Sequence, residues 1–194
     1  WKKESCLFLF LGNAAEYQGI MYFVNEFKYL VDNENLDLKF LLVGNGEEVP
    51  TIKKKIIGDG MSGRFMHIDY VEESELNHIC ILADIGLSIF SPFRGSHGTI
   101  SGLKTFTYLL NSLPIITSIM DDKAKMIEKS RYGWVVKNFS KDNLRKIIKS
   151  SVSQQKEFKD NISGELEELR QKFSWKQRHE LCVREIEKKF YKYD

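Results

Sequence analysis

The sequence is poor in everything that would staple, cage or anchor it. Its three cysteines, Cys6, Cys80 and Cys182, lie far apart, with no C-x-x-C pair and no clustered histidines. That argues against a disulfide framework or a zinc site and leaves reduced thiols in a cytosolic setting. No apolar run approaches the about 18 residues of a membrane-spanning helix. Charge of one sign is missing too: 29 Lys and Arg against 27 Asp and Glu leave a net charge of +2, which is no footprint for nucleic acid or a strongly anionic surface. Any phosphate site must therefore be local. There is no repeat and no low-complexity segment. The chain opens at Trp1 and enters a strand almost at once, without an initiator Met or signal peptide, so we expect a fragment of a longer cytoplasmic protein.

What is present is enough apolar residue, 42% of 194, for one sizeable core. Cys6 to Leu11 is a short block apolar on both faces, as a buried parallel strand is. Ile20, Phe23, Phe27 and Leu30 follow at helical spacing. Leu38 to Val43 predicts a second buried strand, Glu48 to Ile57 a helix with Pro50 near its start, and Phe65 to Ile68 a third strand. Glu72 to Ala83 predicts a helix with Ser74 as N-cap and Leu76, Ile79 and Leu82 inward. The alternation continues through a strand at Ile85 to Phe90, a helix at Leu103 to Asn111, a strand at Pro114 to Thr117, a helix at Lys123 to Lys129 and a strand at Trp134 to Val136. The pattern predicts an α/β, Rossmann-like doubly wound parallel sheet with helices on both faces. Beyond 1–140 the composition turns charged and helical. Asn143 to Ser151, Glu157 to Lys172 and Trp175 to Tyr191 predict a helical extension over 141–194 of a single domain, with Asn161 to Lys172 a solvated helix face.

Ligands of such sheets bind outside the carboxyl ends of the strands. The loops Gly12 to Gly19, Gly44 to Glu47, Asp69 to Glu72 and Ser91 to Lys104 meet that condition. The last is longer than a strand-to-helix connection needs and is the first candidate for ligand contact. Lys104 sits in the first turn of the helix that follows, where the helix dipole should repel it. Either an anion neutralises both, with Ser101, Gly102 and Leu103 contributing to the site, or Lys104 is a solvated surface lysine. Gly44-Asn45-Gly46 lacks the third glycine and the acidic residue of a dinucleotide fingerprint, and reads as a tight turn. Tyr70 either packs on a nucleobase or covers the end of the sheet. Arg94 and His97 read as loop residues; a sugar or phosphate contact and a catalytic role are the sharper alternatives. No metal-ligand cluster is visible, and no cofactor is expected.

Several short motifs then fall in a familiar order: Leu11-Gly12 with Gln18-Gly19, Leu41-Leu42-Val43-Gly44-Asn45-Gly46, Tyr70-Val71, Glu75-Leu76, Ala83-Asp84-Ile85-Gly86-Leu87, Leu113-Pro114-Ile115-Ile116-Thr117 and Phe173-Ser174-Trp175. Together they resemble the C-terminal, donor-binding domain of GT-B glycosyltransferases, in the retaining group that includes glycogen synthases and bacterial mannosyl- and glucosyltransferases. The resemblance implies a nucleoside-diphosphate sugar as donor and metal-independent retaining transfer to an acceptor held by a missing N-terminal domain, so this chain alone should be inactive. It implies donor contacts from Gly12, Asn13, Gln18, Gly19, Tyr70, Val71, Ser101, Gly102, Leu103, Lys104 and Thr107. It also implies a cytoplasmic protein, or in full length one peripheral to the inner face of a membrane, and a closing helix whose Leu181, Val183 and Ile186 are under-covered and promote self-association.

The departures from the family pattern are as specific. The ribose-binding Glu of that group is Thr107 here, and its upstream partner is Thr99. The Arg after the first Gly is Asn13, and the phosphate-binding Lys before the second is Gln18. Lys104 matches a Lys found in a subset of the group, so one cation would replace the two that are lost. The same departures leave open a non-catalytic binding module of this architecture, or a sugar-nucleotide epimerase.

Overall fold

The computed structural model describes residues 1–92 and 102–190. Its central strand, β1 (Cys6–Leu11), is buried at every position, because helices cover both faces of the sheet it lies in. With β2 (Leu38–Val43), β3 (Phe65–Ile68), β4 (Ile85–Ser88), β5 (Ile115–Ser118) and β6 (Gly133–Val136) it forms a sheet of order β3-β2-β1-β4-β5-β6. Every pairing in that sheet is parallel. The helices between successive strands are α1 (Ile20–Asn33), α2 (Val49–Gly58), α3 (Glu73–Leu82), α4 (Leu103–Leu110) and α5 (Ala124–Lys129). This is the doubly wound arrangement the alternation predicted.

The alternation of β1 sorts the core into two layers. Phe8 and Phe10 pack with Phe23, Phe27 and Leu30 of α1 and with Ile52 and Ile56 of α2. Leu7, Leu9 and Leu11 pack on the other face with Cys80, Tyr108, Leu109 and Ile127, from α3, α4 and α5. After β6 the chain continues in α6 (Lys141–Gly164), α7 (Leu166–Lys172) and α8 (Trp175–Phe190). Leu144 and Ile148 of α6 join the first layer and Ile162 the second, so α6 wraps over the β6 edge. Trp134 and Phe158 stack there with centroids 4.4 Å apart.

Five local expectations are corrected. α3 starts after Glu72, whose backbone is extended at φ −65° and ψ 148°, and not after Ser74. Its inward stripe is Leu76, Ile79, Cys80 and Ala83, and Leu82, off that stripe, is 59% exposed. β4 ends at Ser88, two residues early. The helices predicted at Asn143–Ser151 and Glu157–Lys172 are one helix, α6, and a short α7: the polar centre conceals the continuity, yet Ser151 and Ser153 donate to the carbonyls of Ile148 and Ser150 within the helix. The charged run from Asn161 to Lys172 is no bare solvated face, since it buries Ile162 and Leu169. On α8, Val183 and Ile186 are exposed.

Candidate functional site

β1 and β4 run to the two sides of the sheet from its centre, and their following helices cover opposite faces. At that switch point the carboxyl ends diverge and leave a crevice. The cleft found there, of about 540 Å³, is bounded by Leu11 and Gly12 after β1, Tyr17 and Gln18 before α1, Val43 and Gly44 after β2, Asp69 to Val71 after β3, Leu76, Phe90 after β4, and Gly102, Leu103, Lys104 and Thr107 of α4. That volume lies within the range of small-molecule sites, about 300–1,000 Å³.

The rim is built from loops locked to one another. Gly12 N–H donates to Val43 O, and Gly44 N–H to Ile68 O, each at 2.8 Å, so the ladder continues beyond the strands. Gly44 has φ +125°, and a Cβ there would fall 2.2 Å from the Gly12 carbonyl oxygen. Only glycine permits that approach. His67 sits beneath, its Nε2–H donating to Gly44 O at 2.8 Å. The turn before α1 is tied to the β4 exit by Ser91 N–H donating to Tyr17 O at 2.9 Å.

Lys104 crosses this cleft. Its Nζ donates to Gln18 Oε1 at 2.8 Å and stands 3.9 Å from the centroid of the Phe10 ring, a buried cation–π contact. Burial lowers its pKa from the ordinary 10.5 to about 7. Among the described residues no side chain caps the first turn of α4, and its N–H groups and a desolvated ammonium lie at one end of the cleft. That arrangement suits an anion with more than one oxygen.

Of the residues singled out in the sequence, Gly12, Gln18, Tyr70, Val71, Gly102, Leu103, Lys104 and Thr107 line the cleft together. Asn13 and Gly19 do not. Asn13 is exposed to one side, and Gly19 is buried where a Cβ would meet Ser91 N at 2.9 Å. Ser101, and with it Arg94, His97 and Thr99, lies outside the described residues. Sequence reasoning held Tyr17, Gly44 and Asp69 only as members of candidate loops, without a role of their own, and missed Leu76 and Phe90. Gly44 gave the best available signal, since a tight turn at a strand's carboxyl end also borders the ligand crevice. Among the described residues no group of histidine, cysteine or carboxylate side chains is placed to hold a metal, and no helix is long and apolar enough to cross a membrane.

A parallel sheet of order 3-2-1-4-5-6 with its cleft at the switch point defines a doubly wound, Rossmann-like α/β domain. More particularly, residues 5–153 match the family model for glycosyl transferases group 1, and the chain belongs to that family. No curated protein matches it in sequence. Among solved structures it resembles WaaG, a glycosyltransferase involved in lipopolysaccharide biosynthesis, at 16% identity and a TM-score of 0.71 over 86% of this chain and 44% of that one. It also resembles HepE of Anabaena in complex with UDP, at 11% identity and a TM-score of 0.76 over 95% and 49%. The C-terminal domain of LpcC from Francisella tularensis aligns at 13% identity and a TM-score of 0.67 over 87% and 85%. The chain thus spans about half the length of WaaG and HepE. At such identities the likeness is one of fold, and the fold is that of GT-B glycosyltransferases.

Proposed function

We propose that residues 1–194 form the donor-binding domain of a two-domain glycosyltransferase, with a nucleoside-diphosphate sugar in the cleft and the acceptor held by an N-terminal domain. The observation that carries this is Lys104. Its ammonium reaches from the first turn of α4 to the side chain of residue 18, the position where the resemblance expects a phosphate-binding lysine and this chain has Gln18. One cation from the opposite wall thus stands where the family's own would. HepE, whose fold aligns over nearly the whole chain, was crystallised with UDP, with UDP and glucose, and with UDP-glucose, which supports the same ligand class here.

In this reading the diphosphate meets the α4 N–H groups and Lys104, the ribose lies against Thr107, and the base lies near Tyr70 and Val71. Positive helix end and ammonium together stabilise charge that develops on the departing diphosphate during hexosyl transfer. Transfer retains configuration without a metal, as in the group resembled. Since acceptor and donor meet between two domains, this chain alone binds donor and transfers nothing. A second reading, a binding module without transfer, draws on Thr107, a weaker ribose ligand than a carboxylate.

The test is thermal unfolding of the 194-residue chain with UDP, GDP and ADP. At one hundred times its Kd, a bound nucleotide stabilises by about 2.7 kcal/mol, or about 5–10 °C for a domain of this size. Lys104→Ala should remove most of that shift. An unchanged shift in that variant would remove Lys104 from the phosphate site and leave it only its contacts with Gln18 and Phe10.

A further inference from the structure

We infer that Asp121, a residue remote from the cleft lining, is a positioning residue for the diphosphate end of the site: it holds the first turn of α4, and so Lys104, through the hydroxyl of Thr105. The inference rests on the donor-site reading above and adds the part of the chain that sets its geometry.

Asp121 lies in the loop between β5 and α5, and its side chain is wholly buried. Thr105 Oγ1–H donates to Asp121 Oδ2 at 2.8 Å, and the backbone N–H of Lys123 donates to Oδ1 at 2.9 Å. Thr117 Oγ1 is 3.2 Å from Oδ2 and 3.0 Å from the Ser88 carbonyl oxygen, so its one proton serves either acceptor. Ser88 Oγ, 2.9 Å from Thr105 Oγ1, supplies the proton that the threonine oxygen accepts. The Lys123 ammonium is 3.9 Å from Oδ1. Burial pushes the Asp121 carboxyl up from its usual range, against the opposing pull of these donors.

A buried carboxylate is an expensive way to fill a core, and apolar replacement of such groups is often neutral or stabilising. Its placement gives it a different use. Among the described residues α4 begins without a side-chain cap, and Thr105, its third residue, is gripped from below. Thr105 N–H bonds Gly102 O at 3.1 Å. A Cβ on Gly102 would lie 3.1 Å from Thr105 Oγ1 and 3.2 Å from Ser88 Oγ, so the hydroxyl pair sits directly under the cleft floor. A continuous polar chain therefore runs from Asp121 through Thr105 and Ser88 to the floor, and Lys104 lies between Gly102 and Thr105 on the fixed turn. The same carboxylate supplies negative charge at the end of a helix that otherwise joins a positive dipole to a lysine.

Two substitutions test this. Thr105→Val keeps shape and removes the hydroxyl; Asp121→Asn keeps shape and removes the charge. The probes are UDP, GDP and ADP, with uridine, guanosine and adenosine as controls, titrated calorimetrically against the 194-residue chain. Each variant should weaken nucleoside-diphosphate binding about tenfold, the scale of a loosened contact at a preorganised site, and leave nucleoside binding within about twofold of wild type. Thr105→Ser should restore affinity. A general loss of stability would instead weaken nucleoside and nucleotide alike, and that outcome overturns the positioning role. So does wild-type diphosphate affinity in Thr105→Val, or tighter binding in Asp121→Asn, provided Lys104→Ala has lost it. If Lys104→Ala binds normally, the donor-site reading itself fails. Should Thr105→Val not fold, Asp121→Asn carries the same expectation.

Discussion

Removing one oxygen, from Tyr108, tests how the crevice is held open. β1 and β4 share only two paired positions, Phe8 with Ile85 and Leu9 with Gly86, before they diverge, and beyond that point their facing backbone groups need other partners. The Tyr108 hydroxyl, from α4, supplies them: it accepts from Leu11 N–H at 2.8 Å and lies 3.2 Å from Leu9 O and 3.4 Å from Leu87 O. The ring is fully buried and lies against Gly86, where a Cβ would come within 2.7 Å of it. Tyr108→Phe therefore leaves packing intact and orphans one buried N–H. The cost of such a group is about 1–3 kcal/mol, with no cavity contribution because the ring remains. For a domain of this length each kcal/mol lowers Tm by about 2–4 °C, so a value near 2 kcal/mol gives about 4–8 °C. Urea unfolding should show a lower midpoint with unchanged slope, and the Leu11 amide should exchange faster. A variant that melts within a degree of wild type would refute the assignment, because it would mean that water or relaxation satisfies Leu11 as well as the phenol does.

Lys104 titrates near 7 in the folded chain against an ordinary 10.5, so its burial penalty is complete below about pH 7 and vanishes by about pH 10.5. Lys104→Met should be more stable than wild type at neutral pH, by a margin that closes as pH rises through that window; a margin constant with pH would contradict it. Gly44→Ala, with a Cβ 2.2 Å from Gly12 O, should cost more than the about 1–3 kcal/mol of backbone strain alone, whereas Gly12→Ala, whose Cβ meets nothing within 4 Å, should cost only the strain; equal urea midpoints for the two would sink the close-approach argument. A thiol reagent at neutral pH should modify the exposed Cys182 and spare Cys6 and Cys80, which are buried with thiols pushed up to about 12; mass spectrometry showing equal labelling of Cys80 would argue against its burial.

Two of the strands buried on both faces were legible from end to end. Cys6–Leu11 and Leu38–Val43 could be read to the residue, because a run of apolar residues ended by glycine admits little else at that length. The long α6 was not, since Ser150 to Gln155 carry no apolar stripe and only the finished fold shows Phe158 stacking on Trp134 across them. The cleft was legible in part. Gly12, Gln18, Tyr70, Val71, Gly102, Leu103 and Lys104 follow from two rules, that crevices open at strand carboxyl ends and that helix N-termini attract anions. The first rule also brings in the loops holding Tyr17, Gly44 and Asp69, whereas Thr107 follows from the family resemblance alone. Phe90 follows from neither: it reaches the lining where the β4 exit is bonded to the turn before α1, a contact between segments more than seventy residues apart. Asp121 was invisible for the same reason. In sequence it is one acid of an Asp-Asp-Lys run, and only the closure of β5 against α4 puts Thr105 on it.

The strand at the centre of this sheet is the first of its six to be synthesised, and it waits longest for its second neighbour. β1 finds β2 within some thirty residues, pairing Cys6 with Leu38, but its other edge waits for Ile85. Such long-range closure slows folding. Until β4 arrives, Cys-Leu-Phe-Leu-Phe-Leu is an uncharged, proline-free strand with one bare edge, a composition that invites pairing with another chain. Lys2, Lys3 and Glu4 stand one residue ahead of it, before Ser5, as the charged flank that such a segment needs, and Lys2 later bonds Asp84, the residue just ahead of β4. A chain truncated before Ile85 keeps the hazard and loses its cover, so it should aggregate during synthesis even though three of its strands can still pair.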